Sequence, residues 1–136
     1  DDFDPLIRDR LLANTLIPAS WYVQAQRFRR WHHTQMMKLF ETVDVVLAPA
    51  TPSPAHLIGE KEVTVRNTKL PARAAAGILA APLSLVGVPV LCAPVGLLHD
   101  MPVGLQIIAA PWREDYCFRV ASALEHMGIA KFLVAH

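Results

Sequence analysis

The chain has 136 residues, and its formal net charge of +1 gives no support for a partner such as nucleic acid or an anionic membrane. This length corresponds to a single domain, yet 53% of the residues are hydrophobic and only 18% are charged, against an average charged fraction of about 25%. Because a domain of this size buries only about two-thirds of its unfolded surface, we predict that the chain belongs to a larger body or packs tightly on a partner.

Two helices are predicted at the start of the chain. The first covers residues 3–14, because Asp4 followed by Pro5 suits an N-cap and a first helical position. The second is long and extends from Pro18 to about Thr42. Apolar residues recur in it every three or four positions, which is typical of a helix that buries one face. This apolar stripe consists of Trp21, Ala25, Phe28, His32, Met36 and Leu39.

The basic residues of the long helix allow two interpretations. Arg27, Arg29 and Arg30 form either a phosphate patch or a solvated face, and the neutral charge balance favours the solvated face. His32 and His33 do not predict a metal site, because adjacent helical residues point about 100° apart and helical zinc ligands are spaced by three or four residues.

A strand is predicted at residues 44–48, followed by an extended proline-rich loop over residues 49–54. Residues 55–72 mix charged and small side chains and indicate a surface excursion, with a short strand proposed at residues 62–65. Such a loop is either a substrate lid or plain surface, and the sequence leaves both interpretations open.

No charged residue occurs between Ala74 and Leu98, a length that would suit a membrane span. Three prolines in this stretch argue against a single helix, because each removes a backbone donor. We instead predict an apolar helix, a corner at residues 87–89 and a strand at residues 90–94.

A further strand is predicted at residues 103–109, and a last helix begins at about Trp112, with Glu114 and Asp115 in its first turn. Nearly continuous apolar strands are typical of α/β proteins. We therefore expect an α/β fold in which three strands form one mixed sheet covered by helices on both faces.

The ends and the cysteines suggest a cytoplasmic chain. Cys92 and Cys117 are far apart in sequence and are interpreted as reduced core residues. No basic segment followed by an apolar one opens the chain, so we expect no signal peptide. The first residues are Asp1 and Asp2 rather than methionine, which is typical of a fragment or a processed chain.

Five segments, in order and in register, resemble the C-terminal quarter of the amidase signature family, and the resemblance covers essentially the whole chain. They are Asp44-Val45-Val46-Leu47-Ala48-Pro49-Ala50-Thr51-Pro52, Pro82-Leu83-Ser84-Leu85-Val86-Gly87-Val88-Pro89, Pro94-Val95-Gly96, Pro102-Val103-Gly104-Leu105-Gln106-Ile107-Ile108, and Glu114-Asp115 with Ala121-Ser122-Ala123-Leu124-Glu125.

The resemblance implies a hydrolase that cleaves linear amide C–N bonds through a Ser–cis-Ser–Lys triad and a serine acyl-enzyme. That triad is expected upstream of the matched region, so no catalytic residue is assigned in this chain, and the chain by itself is expected to be inactive. Residues 1–136 would be the C-terminal portion of a single domain. No cofactor or metal is implied, and the expected partners are a small amide substrate and either a second copy or a small subunit.

Two positions bear on the substrate that the resemblance implies. Arg10 best matches an arginine that binds the substrate carboxylate in glutaminase-type members, although its spacing to the long helix differs and a plain surface arginine remains the alternative. Those members carry an aspartate for the substrate amino group where this chain has Gly77. The run Ile17 to Arg29 most resembles carboxybiuret hydrolases, whose substrate has a carboxylate but no α-amino group.

Three functions therefore remain open. The first is an amidohydrolase for a small, carboxylate-bearing, urea-like substrate. The second is the glutaminase subunit of a tRNA-dependent amidotransferase, against which Gly77 argues. The third is a non-catalytic module that keeps the packing core of the family for assembly with another chain.

Overall fold

The computed structural model describes residues 3–131, and Asp1, Asp2 and residues 132–136 lie outside the described part. Its elements follow in the order α1 Pro5–Thr15, α2 Ala19–Phe40, β1 Val45–Pro49, β2 Glu62–Val65, β3 Thr68–Pro71, α3 Ala72–Gly77, α4 Ala81–Val86, β4 Val90–Leu98, β5 Met101–Ala109 and α5 Glu114–His126. Among the described residues, none of the helices combines the length and the apolar character that crossing a bilayer requires.

The three long strands form one sheet in the order β1-β5-β4, with β5 in the middle. Val45 pairs with Ala109 at one edge, and Leu91 pairs with Ile107 at the other. The α/β class and the three predicted strands are confirmed. We expected a mixed sheet of parallel and antiparallel strands. Within the described residues, the two strand pairs of this sheet, β1 with β5 and β4 with β5, are both antiparallel.

The core lies between this sheet and α5. Alternate residues of a strand face the same side, so Ile107 and Ala109 of β5 point with Ala93 of β4 towards Cys117 of α5. The Cys117 thiol donates a hydrogen bond to the carbonyl of Ile107 across 3.3 Å. On the opposite face, α4 lies beside the sheet and its residue Leu83 borders one cavity together with Val90 and Gln106.

The strand that follows the Gly87 corner is longer than predicted. We expected it to end at Pro94, but β4 continues to Leu98 and returns through His99 and Asp100 into β5. Pro94 is tolerated because β4 is an edge strand, where a missing N–H costs no ladder bond. The pairing shifts between Pro94 and Gly96, whose φ of 142° is open only to glycine without strain.

Two helix predictions need correction. The last helix begins at Glu114 rather than Trp112, because Trp112 has a φ of 65° and forms a turn with Pro111. The single apolar helix expected after Ala74 is two short helices, α3 and α4, joined by a turn at residues 78–80.

In the surface excursion at residues 55–72, the predicted strand at residues 62–65 is confirmed as β2 and forms one side of a β-hairpin. Strand β2 pairs antiparallel with β3, with Val63 opposite Leu70. Val63 is buried, and the hairpin packs against α3. The hairpin is therefore attached to the helix that ends at Gly77, and the preceding residues Leu57 and Ile58 are fully exposed.

The apolar stripe of the long helix does not face the core of this chain. Trp21 and Phe28 are more than half exposed, and α2 has no buried residue within the described part. The stripe is therefore left for other protein to cover, in line with the packing on a partner or a larger body that the composition predicts. Helix α2 instead contacts α4 through another face.

Candidate functional site

The corner formed by α3 and α4 is the part of the chain that carries the predicted specificity position. Gly77 ends α3, is exposed, and has no atom within 4 Å of the place that a Cβ would occupy. Its φ lies outside the left-handed region, so the backbone would accept other residues. The geometry therefore does not require glycine here, and the position is open to a larger side chain.

The second helix of the corner is held by the long helix α2. Arg29 donates a hydrogen bond from its Nε to the carbonyl oxygen of Leu85, 2.8 Å away, in the last turn of α4. A cation at a helix C-terminus satisfies a free carbonyl and interacts favourably with the helix dipole. Gly87 then ends α4 with a φ of 78°. Arg29 therefore fixes α4 relative to α2, a contact that the sequence did not predict.

The predicted substrate-binding residue, Arg10, lies exposed on α1. Its neighbour Arg8 pairs with Asp9 across 3.5 Å at the surface. Helix α1 has no extensive packing contact with another element within the described residues. The guanidinium of Arg10 is thus accessible to a carboxylate.

A serine and a histidine come close together on α5, although no catalytic residue was assigned in this chain from its sequence. The Oγ of Ser122 lies 3.4 Å from Nδ1 of His126, while the same nitrogen lies 2.7 Å from the carbonyl oxygen of Ser122. A carbonyl oxygen only accepts, so Nδ1 carries the proton and donates it. It cannot also accept the Ser122 proton, and this pair is therefore not an activated nucleophile. The spacing of four residues was the signal that could have predicted the contact.

The start of α5 carries an exposed ionic cluster. Arg113 binds Asp115 with 3.1 Å between Nε and Oδ1, and its guanidinium lies 3.5 Å from the centre of the Tyr116 ring. The hydrogen bond to Arg113 lowers the pKa of Asp115, and the same bond raises the pKa of Arg113. Both groups stay charged at neutral pH, so this cluster orders the first turn of α5 and has no proton to exchange.

No metal site is formed by the histidine pair. Within residues 3–131 no three His, Cys, Asp or Glu side chains are grouped so as to hold an ion. Nδ1 of His32 is buried without a hydrogen-bond partner, and the ring packs near Phe28 with 6.0 Å between centroids. In the same described part, no serine side chain is hydrogen-bonded to a lysine. The site geometry offers binding groups but no assembled catalytic set.

Comparison with known proteins gives a consistent relationship over nearly the whole chain. Residues 4–118 match the family model Amidase. The chain is 44% identical over 132 residues to AtzE, a 1-carboxybiuret hydrolase subunit of Pseudomonas sp. (strain ADP), covering 96% of this chain and 29% of that protein. It is 35% identical over 131 residues to a glutamyl-tRNA(Gln) amidotransferase subunit of Geobacillus stearothermophilus, covering 92% of this chain and 26% of that protein.

Solved structures show the same relationship. A vestigial protein complex that reveals the evolutionary origins of an s-triazine catabolic enzyme superimposes with a TM-score of 0.93 at 43% identity, covering 98% of this chain and 30% of that one. The crystal structure of an amidase gives a TM-score of 0.87 at 32% identity, covering 92% of this chain and 29% of that one. The chain thus spans less than a third of the length of these relatives.

Proposed function

Because the chain belongs to the amidase family, we propose that the polypeptide that carries it hydrolyses a linear C–N amide bond in a small, carboxylate-bearing, urea-like substrate. The observation that carries this proposal is the 44% identity to a subunit of a 1-carboxybiuret hydrolase over 96% of the chain. Hydrolysis would proceed through a serine acyl-enzyme, as is usual for a serine nucleophile in acyl transfer. The serine and its lysine would lie in a part of the domain outside this sequence.

In this proposal, residues 1–136 are the C-terminal portion of one amidase domain, and they supply substrate contacts rather than the chemistry. Arg10 would bind the substrate carboxylate. Its guanidinium can offer two parallel N–H donors to the two carboxylate oxygens, a fork that lysine lacks. Its exposed position on α1 leaves these donors accessible.

Gly77 would contribute to specificity by the absence of a side chain. An aspartate at this position would present a carboxylate to an α-amino group, and the space around Gly77 would accept one. With glycine there, an α-amino group finds no charged partner at this point. A urea-like substrate that lacks an α-amino group fits this arrangement better than glutamine does.

The test compares Arg10→Ala with Arg8→Ala in the full natural polypeptide that contains this sequence. Loss of a desolvated charged hydrogen bond costs roughly 2–5 kcal/mol, so Arg10→Ala should lower kcat/KM for a carboxylate-bearing substrate by about 30-fold or more. A neutral amide of similar size should be little affected, and Arg10→Lys should recover only part of the loss. Equal behaviour of both alanine variants on both substrates would show that Arg10 is a solvated arginine.

The glutaminase function is the second candidate, because the chain is 35% identical to a subunit of a glutamyl-tRNA(Gln) amidotransferase. Gly77→Asp separates the two functions. If the natural substrate lacks an α-amino group, this variant should lose activity on a carboxylate-bearing, urea-like amide without an α-amino group, and wild type should be inactive on glutamine. A wild-type polypeptide that releases ammonia from glutamine and passes it to a tRNA-bound substrate would overturn the hydrolase proposal.

The third candidate is a non-catalytic module that assembles with another chain. The vestigial complex among the similar structures supports a partner subunit or a second copy for this polypeptide as well. The free thiols of Cys92 and Cys117 are consistent with a cytoplasmic location, which we also propose. Amide hydrolysis by the full polypeptide, abolished by a serine-directed inhibitor, would exclude the non-catalytic alternative.

A further inference from the structure

The long helix α2 contacts α4 and carries a polar stripe that includes the residue making that contact, Arg29. Gln26, Arg29, Arg30 and His33 occupy positions i, i+3, i+4 and i+7 and therefore share one face. They line an open cavity of about 320 Å³, into which Val86 of α4 also projects. Val86 is only 3% exposed. The cavity thus combines several hydrogen-bond donors with one apolar wall, and none of the residues that line it is acidic.

The positive charge of this face has no compensation in the helix itself. No acidic residue occurs between Asp9 and Glu41, while α2 contains Arg27, Arg29, Arg30 and Lys38. The ion pairs seen among residues 3–131 are those of Arg8 with Asp9 and of Arg113 with Asp115, and neither involves an arginine of α2. Positive charges gathered around one cavity raise its electrostatic potential, which favours the binding of an anion there.

One of the two arginines of the cavity is already held in place. The Nε of Arg29 donates to the carbonyl of Leu85 across 2.8 Å, which anchors one edge of the guanidinium. A guanidinium has five N–H donors, so donors remain for a ligand. Its terminal nitrogen lies 3.8 Å from the place that a Cβ of Gly87 would occupy, beside the end of α4. Such pre-ordering reduces the entropy lost when a ligand binds.

We propose that this cavity binds a small oxyanion, a carboxylate or a phosphate-like group, through Arg29 and Arg30, with Gln26 and His33 as further donors. Arginine forks suit both groups because each presents paired oxygens. The site lies on α2 and α4, whereas the substrate carboxylate was assigned to Arg10 on α1. It is therefore a second anion site, and it does not depend on the proposed hydrolase activity.

The test measures binding of sulfate and of malonate to the full natural polypeptide by calorimetry, at an ionic strength held constant with chloride. Arg30→Gln should weaken binding of the preferred anion about five- to tenfold, the effect of losing one charge-assisted hydrogen bond. Arg27→Gln removes the same charge from the same helix outside the cavity and should change the affinity less than about twofold. A preference for sulfate indicates a phosphate-like ligand, and a preference for malonate indicates a carboxylate.

Arg30→Gln is the decisive variant, because Arg29 also supports α4 and its loss would disturb the fold. Equal weakening by Arg27→Gln and Arg30→Gln would show that only the overall charge of the helix matters, and the proposal would fail. Absence of binding of either anion to the wild-type polypeptide would mean that a side chain of the polypeptide itself fills the cavity, and this result would also overturn the proposal.

Discussion

Gln106 is a polar residue inside the three-stranded sheet, where it is only 5% exposed. Its Nε2 donates to the carbonyl of Pro49 across 2.8 Å and so ties β5 to the end of β1. Gln106→Met keeps most of the volume but leaves that carbonyl unpaired, so we expect the free energy of unfolding to fall by about 1–3 kcal/mol in denaturant titrations. Gln24→Met, on the exposed face of α2, should stay within about 0.5 kcal/mol. Similar losses for both variants would contradict this role of Gln106.

Cys117 gives a prediction about alkaline pH. Burial raises the pKa of its thiol above the ordinary value of 9.0, so the unfolded chain ionises at lower pH than the folded one. The contribution of the neutral thiol to the free energy of unfolding is fully present below the ordinary pKa. It is lost as the pH rises through the pKa that the thiol has in the folded chain. We therefore expect the free energy of unfolding to decline above about pH 9, and Cys117→Ala to decline less steeply over the same range. Parallel pH profiles of wild type and variant would contradict the assignment.

At this scale the sequence predicted residue types better than contacts. The interpretation of both cysteines as core residues is confirmed for Cys117, which is buried, and is wrong for Cys92, which is exposed on the edge strand β4. The capping of α4 by Arg29 was missed, because the two residues are 56 positions apart and no local pattern connects them. Arg27, Arg29 and Arg30 were treated alike as solvated arginines. Only the packing of α2 against α4 separates Arg29 and Arg30, which line a cavity, from Arg27.

Both hairpins of the chain use two-residue turns with positive φ values. These are 47° and 65° at Arg66 and Asn67, and 53° and 61° at His99 and Asp100. Such turns favour Asn-Gly, because asparagine and glycine tolerate the left-handed region best. The double change His99→Asn and Asp100→Gly should therefore raise the free energy of unfolding by about 0.5–1 kcal/mol in denaturant titrations.

Asp115→Gly provides the matched control for this prediction. It makes the same Asp-to-Gly exchange within α5, where glycine costs about 1 kcal/mol, and it also removes the contact to Arg113. This variant should therefore be less stable than wild type. A loss of stability from the turn variant as well would contradict the assignment of the His99–Asp100 turn.

The elements were predictable where a local signal sets their boundaries. Strands β1 and β5 agree with the expected positions within two residues, since their apolar runs are bounded by prolines and polar residues. Strand β4 was predicted too short because Pro94 is a breaker anywhere except at a sheet edge, and edge position is a property of the tertiary fold. The positive φ of Trp112 likewise has no local sequence signal, so the start of α5 was placed two residues early.

The whole molecule exposes more surface than a compact protein of its mass. Its accessible surface is 10698 Å², whereas a folded monomer of 15.0 kDa exposes about 7000 Å². Large exposed apolar side chains contribute to this surface on α1, on α2 and on the turn between them: Leu11, Leu12, Leu16, Ile17, Trp21, Tyr22, Phe28 and Trp31. So many large apolar side chains exposed on neighbouring segments are typical of an interface. This surface agrees with the prediction from composition that the chain packs against other protein.

Tryptophan fluorescence tests that conclusion directly. The chain contains three tryptophans, and the structure leaves Trp21, Trp31 and Trp112 exposed by 67%, 57% and 89%. The isolated 136-residue chain should therefore emit at the long-wavelength position of solvated indole and be quenched readily by acrylamide. In the full polypeptide, or in a complex that covers α2, Trp21 and Trp31 should move into an apolar environment, because their indoles are the largest apolar side chains exposed on α2. We expect a blue-shifted emission and weaker quenching, both reduced in a Trp21→Phe and Trp31→Phe double variant but retained in Trp112→Phe. Identical spectra for the isolated chain and the full polypeptide would show that α2 stays solvated, and the covering of this surface would be disproved.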